Sequence, residues 1–135
     1  MIQEGQIVLF SFPQTDQNPG KLRPALVLRH LPGPHDDWLI CLISSQLRHH
    51  IPGVDEIVYD TDPDFAETGL KLSSVIRITR LAVVSVDILQ GTTGSLAPPR
   101  LALIRHRLSN WILSNSEQAE GKQDQKPEQP AQPDA

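Results

Sequence analysis

The apolar residues of this chain fall into short runs, and proline, glycine or a polar cluster separates each run from the next. That punctuation limits the fold more than any other feature, because runs this short suit strands rather than helices. Gln6–Phe12 reads as a buried strand after Gly5, and Pro13 to Gly20 as a polar loop. Arg23–His30 reads as a second strand with Pro24 at its start, where a missing N–H is tolerated. Trp38–Ser44 is a third, and its unbroken apolar character predicts burial on both faces. Arg48 to Gly53 reads as a loop, Val54–Asp60 as a strand, and Thr61 to Gly69 as a polar, acidic loop. Leu72–Arg80 and Leu81–Ile88 read as two strands or one long bent one. Short strands with frequent turns predict a closed or nearly closed antiparallel barrel.

Two segments break this pattern. Pro98 and Pro99 precede Leu101, Ile104, Leu108, Trp111 and Ile112, whose spacing gives one apolar stripe on a helix. Arg100, Arg105 and Arg107 fall mostly off that stripe and read as a solvated face. From Ser116 to Ala135 there is no Val, Ile, Leu, Met or aromatic residue, and such a stretch cannot offset its chain entropy by burial. The expected organisation is one domain over residues 1–115 and a disordered, acidic, Gln/Pro-rich tail over 116–135.

The tail also biases the charge. It holds five acids against two bases, so the first 115 residues carry a net charge of only −1. Most of their cations are arginines, the better bidentate phosphate ligands. The lone cysteine, Cys41, sits inside an apolar run and reads as a buried reduced thiol of a cytoplasmic protein. The N-terminus lacks the pattern of a secretory signal, and no apolar run approaches the ~18 residues that span a membrane. No Gly-rich phosphate loop, His-Glu-x-x-His helix or nucleophile elbow is present, which lowers nucleotide, metal and serine-hydrolase readings.

Three segments place polar groups where an apolar strand begins or ends, the positions from which sites are commonly built. In Pro19–Val27 a glycine-bearing loop delivers Arg23 to a strand, and Pro24 holds Arg23 extended. An arginine fixed this way can grip a phosphate with two N–H donors. In Ile43–His50, the hydroxyls of Ser44 and Ser45 are followed by Arg48 and by His49 and His50, either of which can shuttle a proton near neutral pH. No carboxylate lies at ligand spacing from the two histidines, so no metal is expected. In Ser73–Arg80, Val75, Arg77 and Thr79 share one face of a strand, while Ile76 and Ile78 face the core.

Taken together and in order, these segments resemble the MazF/PemK family of toxin–antitoxin ribonucleases. Gly5-Gln6-Ile7-Val8 is similar to the family's opening strand, and Arg23-Pro24-Ala25-Leu26-Val27 carries its Arg-Pro element. Ile43-Ser44-Ser45-Gln46-Leu47 resembles its Thr-Ser-Asn/Gln-Leu stretch. Gly69-Leu70 with Ser74-Val75-Ile76-Arg77 resembles its Gly-Leu…Ser-Val-Val-Arg strand, and Gly94-Ser95-Leu96-Ala97-Pro98 its closing helix entry. The resemblance covers roughly residues 1–113.

It implies an SH3-like small antiparallel barrel with a C-terminal helix, acting as a homodimer in the cytoplasm. It implies cleavage of single-stranded RNA without metal or cofactor, and a cognate antitoxin whose disordered tail covers the RNA groove. By position, Arg23, Ser44 and Arg77 would be catalytic, with Ser44 replacing the family's threonine. Lys21, Ser45, Gln46, Arg48, His49 and Thr79 would contact RNA. Thr79 departs from PemK-type members, which carry an aspartate there as the proposed general base. That departure keeps open a catalytically weak member acting as an RNA-binding or protein-interaction module. A gyrase-poisoning barrel of the CcdB type would lack the Arg-Pro element and the serine–arginine set.

Overall fold

A computed structural model of the chain describes residues 1–11 and 21–115. The expected loop at Pro13–Gly20 and the expected tail at 116–135 lie outside the described residues. Six strands, β1 (Gln6–Ser11), β2 (Leu22–His30), β3 (Asp37–Ser44), β4 (Glu56–Val58), β5 (Ser74–Ser85) and β6 (Gly91–Ser95), form one curled antiparallel sheet. Their order is β4-β5-β3-β2-β1-β6. A helical turn α1 (Phe65–Thr68) and a C-terminal helix α2 (Pro98–Leu113) complete the fold.

β3 lies in the middle of the sheet and is buried on both sides, as its continuous apolar run requires. Side chains that alternate along the strands build two apolar layers. On the first face, Ile7, Leu26, Leu28, Cys41, Ile43, Ile76 and Ile78 pack with Val58, Leu96 and Ile104 of α2. On the second, Val8, Phe10, Ala25, Val27, Trp38, Ile40 and Val84 pack together, with Leu42 and Ala82 beside them. Cys41 is fully buried, and burial together with nearby Asp55 pushes its thiol pKa up.

The sheet is a half-barrel: no hydrogen-bonded ladder joins its outer strands β4 and β6 among the described residues. The turn α1 spans that gap instead. Thr93 Oγ1 donates to the Thr68 carbonyl at 2.8 Å. Two glycines permit the approach. A Cβ at Gly94 would meet the Glu67 carbonyl oxygen at 2.1 Å, and one at Gly69, where φ is +70°, would meet the Thr93 carbonyl oxygen at 2.0 Å.

Several expected boundaries move, each for a local reason. The strand expected at Val54–Asp60 shrinks to β4, Glu56–Val58. Before it, Asp55 N–H closes a turn onto the Ile51 carbonyl; after it, Tyr59 N–H is taken by Asp62 and Asp60 N–H by Ser73. The loop expected at Thr61–Gly69 contains α1. The segment Leu72–Ile88 holds one strand, β5, over Ser74–Ser85, and the Ser85 hydroxyl caps a 3-10 turn over Val86–Ile88. Strand β6 carries the sequence Gly-Thr-Thr-Gly-Ser and has no alternating apolar pattern to announce it.

The long β5 is kinked. Cys41 pairs with Leu81 but Leu42 pairs with Arg77, so Ile78, Thr79 and Arg80 bulge out of the ladder with β3. The buried Asp55 carboxylate fixes this bulge. It accepts the Ile78 N–H at 3.0 Å and the Ile51 N–H at 3.1 Å.

Candidate active site

The candidate site lies on the second face of the sheet, where β2 begins, β3 ends and the first half of β5 runs beside them. Val8, Ala25, Leu42 and Arg77 stand directly opposite one another on β1, β2, β3 and β5. Arg23 lies two residues from Ala25, and Ser44 two residues from Leu42, so both project from that same face. Adjacent strands are about 4.8 Å apart, so the three side chains rise from neighbouring positions across roughly 10 Å of sheet. The register thus brings Arg23, Ser44 and Arg77 together.

Each of the three is held by its own piece of local structure. Arg23 is exposed at the start of β2, opposite the fully buried Phe10 and just before Pro24. Ser44 ends β3, where the chain turns into a 3-10 turn over Leu47–His49. Its Oγ accepts the Gln46 N–H at 3.0 Å and lies 3.0 Å from His49 Nδ1. Arg77 is half-buried on β5 between the fully buried Ile76 and Ile78. Its Nε is buried with no hydrogen-bond partner among the described residues.

The other expected RNA contacts surround this trio. Lys21 is exposed immediately before β2. Ser45 is exposed, and Gln46 Oε1 accepts from Arg48 Nη1 at 2.7 Å. Thr79 is half-buried inside the β5 bulge. His49 is half-buried; desolvation and then the charges of Arg77, Arg48 and Arg80 hold its pKa below 6.5. His49 lies in the 3-10 turn and His50 at its end, within the stretch expected as a loop, and they diverge. His49 turns to Ser44, whereas His50 lines a separate cavity of about 470 Å3 with Asp55, Glu56, Arg100 and Arg107.

The charges separate into two territories. Arg29, Arg100, Arg105 and Arg107 all pair with carboxylates on the helix side of the molecule. Lys21, Arg23, Arg48, Arg77 and Arg80 make no ion pair among the described residues. The helix arginines are therefore not a solvated face, as their spacing suggested. Arg100 binds Glu56, Asp62 and Asp64, and Arg107 binds Glu56 and the Asp55 carbonyl. Their partners lie more than thirty residues away in the chain, which no local pattern reveals. Four carboxylates of this near-neutral domain, Glu4, Glu56, Asp62 and Asp64, are thus held on the helix side, away from the unpaired cations of the sheet face among the described residues. Among the described residues, no cluster of three or more His, Cys, Asp or Glu could hold a metal ion.

A curled antiparallel half-barrel with a C-terminal helix, its Arg23 and Arg77 without ion pairs among the described residues, defines the class of this protein as a small, mainly β domain. The family model described as PemK-like, MazF-like toxin of type II toxin-antitoxin system matches residues 3–112, and the chain belongs to that family. Similar solved structures include the Mycobacterium tuberculosis toxin MazF-mt6, at 18% identity and a TM-score of 0.59, covering 82% of this chain and 98% of that one. An endoribonuclease in complex with its cognate antitoxin from a mycobacterial species aligns at 12% identity and a TM-score of 0.60, covering 85% and 99%. The MazE-MazF structure from Deinococcus radiodurans aligns at 17% identity and a TM-score of 0.57, covering 84% and 97%. At such identities the likeness to these structures carries the fold. Comparison with curated protein sequences found no match. No helix among the described residues is long and apolar enough to cross a membrane.

Proposed function

We propose that this toxin is an endoribonuclease that cuts single-stranded RNA in the cytoplasm without a metal. The observation that carries the reading is the set of guanidinium groups on one sheet face with no carboxylate partner among the described residues, beside a hydroxyl held by a backbone N–H. Such donors fit a phosphodiester between two nucleotides.

The RNA 2′-OH attacks the adjacent phosphorus, and the P–O5′ bond breaks. Negative charge grows on the non-bridging oxygens as the new bond forms. Arg23 donates to those oxygens, the Ser44 hydroxyl stands at the attacking 2′-oxygen, and Arg77 orients the phosphate. Arg77 suits this role because its Nε lacks an acceptor among the described residues, so an incoming anion relieves a desolvated donor rather than breaking an existing pair. Lys21, Arg48 and Arg80 extend the cationic surface, and Ser45, Gln46 and Thr79 supply polar contacts to the flanking nucleotides.

Because the nucleophile belongs to the substrate, matched RNA and DNA oligonucleotides distinguish this reading from others. RNA is cut with EDTA present, DNA is not, and Arg23→Ala abolishes both cleavage and growth arrest on expression. Equal cleavage of RNA and DNA would overturn it. Harmless expression with retained RNA binding would instead favour a catalytically weak binding module, the reading that Thr79 supports.

Two partners belong to the same proposal. A cognate antitoxin would place acidic residues of a disordered segment on the cationic face, in competition with RNA. A second copy of the chain would cover an apolar surface on the opposite side. There Leu81 and Val83 of β5 are exposed, and they stand beside a groove lined by Leu28, Leu39, Leu108, Ile112 and Leu113. Exposed apolar surface of this kind marks association sites. Light scattering on the wild type and on Val83→Glu tests it, with a dimer expected to become a monomer.

A further inference from the structure

The cleavage just described leaves one question of chemistry open, namely where the 2′-OH proton goes. Arginine stays protonated in proteins, so neither Arg23 nor Arg77 can take it. Thr79 has no base near neutral pH. We infer that His49 is the proton acceptor of the reaction and that Ser44 Oγ hands the proton to it; this rests on the nuclease reading above.

The geometry puts the two groups of the relay in contact. Ser44 Oγ already accepts the Gln46 N–H, and its remaining close polar neighbour is His49 Nδ1 at 3.0 Å. A neutral imidazole protonated on Nε2 presents Nδ1 as an acceptor for the hydroxyl hydrogen, the arrangement this relay uses. The surroundings favour that state. The charged groups that bear most on His49 are Arg48 from its own turn and Arg77 and Arg80 from β5, all cationic. They disfavour the imidazolium, as does the desolvation of the ring. His50, the alternative imidazole, lines the cavity that Arg100 and Arg107 also line.

The step balances as follows. The O2′–P bond forms as the 2′-OH proton passes to Ser44 Oγ, and the Ser44 hydroxyl hydrogen passes to His49 Nδ1. The P–O5′ bond breaks, and the departing 5′-oxygen takes a proton from water. The imidazolium left behind lies close to three guanidiniums, so it returns its proton to solvent readily and the site resets.

Single-turnover cleavage of a fluorescent RNA containing one cut site tests this with the full chain, over pH 5 to 8. His49→Asn is the informative variant, because an amide oxygen can take the place of Nδ1 as acceptor without being a base. Wild-type rates should fall as pH drops through the His49 pKa, which lies below the ordinary imidazole value. His49→Asn should be slower by about 100-fold or more at pH 7.5 and should lose that acid limb. Affinity for an uncleavable RNA with a 2′-O-methyl group at the cut site should stay within about 3-fold. Ser44→Ala should be slowed comparably, and the double variant should be no slower than the worse single one, since the two groups act as one unit.

A His49→Asn rate within about 3-fold of wild type, or an acid limb that survives the substitution, overturns the relay while the nuclease reading stands. Multiplying effects in the double variant overturn the coupling of the two groups. A wild type that cuts no RNA overturns both readings together. Circular dichroism and thermal melting of each variant separate lost chemistry from lost folding.

Discussion

Replacing Arg100 by methionine isolates the ion cluster that ties α2 to the rest of the domain. Its Nε and Nη2 bind Asp64, Nη1 binds Glu56 at 2.7 Å and the Ile57 carbonyl at 3.2 Å, and Nη2 also binds Asp62 at 3.0 Å. The guanidinium is 16% exposed and its three carboxylates 15–25%. Methionine keeps the aliphatic stem and leaves three acids with only Arg107 among them. Breaking a fully buried pair costs about 3–5 kcal/mol; residual solvent here reduces that to about 2–3 kcal/mol. For a domain of this size that corresponds to a fall in Tm of roughly 10 °C at pH 7. The pH dependence has a definite sign. Hydrogen bonding to Arg100 holds the folded Asp64 pKa below its ordinary 3.8, so its contribution is present above that pH and is lost as pH falls through the lower folded value. Calorimetry at pH 7 and pH 3, at one protein concentration, should therefore show the gap between wild type and Arg100→Met narrowing on the acid side. A fall in Tm under about 3 °C at pH 7, or an equal gap at both pH values, would refute the reasoning.

Other substitutions test the site and its support separately. Arg77→Met removes the buried unpartnered Nε, so it should leave Tm unchanged or raise it by the equivalent of ~1 kcal/mol while cleavage is lost; a clear fall in Tm would contradict the idea of a desolvated donor held for a ligand. Asp55→Asn puts an amide N–H₂ against one of two backbone N–H groups, costing about 1–3 kcal/mol in urea melts, and should lower RNA affinity by loosening the β5 bulge; unchanged affinity would separate the bulge from the site. Gly94→Ala drives a Cβ onto the Glu67 carbonyl and should cost about 2 kcal/mol or more, whereas a silent substitution would show that α1 does not hold the sheet edge. Ile104→Ala empties a fully buried position between α2 and the first face of the sheet, with an expected loss of about 2–5 kcal/mol.

The parts of this fold legible in the sequence are those where one strand's burial dictates its own pattern. β1, β2 and β3 announce themselves because apolar layers on both faces demand continuous apolar residues. β6 does not, because Gly91–Ser95 is an outer strand whose glycine serves a close approach to α1 rather than a core. The length of β4 is set by side chains that intercept its backbone groups, and Asp62 and Ser73 act from across a turn. Long-range polar contacts are the least legible of all. Arg100, Arg105 and Arg107 have the spacing of a solvated helix face, yet their partners Glu56, Asp64 and Glu4 come from distant segments.

The site shares this division. Arg23, Ser44 and Arg77 stand out because each interrupts or ends an apolar strand. The Ser44–His49 contact is hidden, because it needs a 3-10 turn that reverses the chain after β3. The same charge arrangement links the two halves of the molecule. By binding Glu56, Asp62, Asp64 and Glu4, the helix-side arginines hold four carboxylates that would otherwise compete for the arginines of the sheet face. A cationic site on a domain of net charge −1 is then a consequence of how the helix docks, and loosening the helix should weaken anion binding on the opposite face.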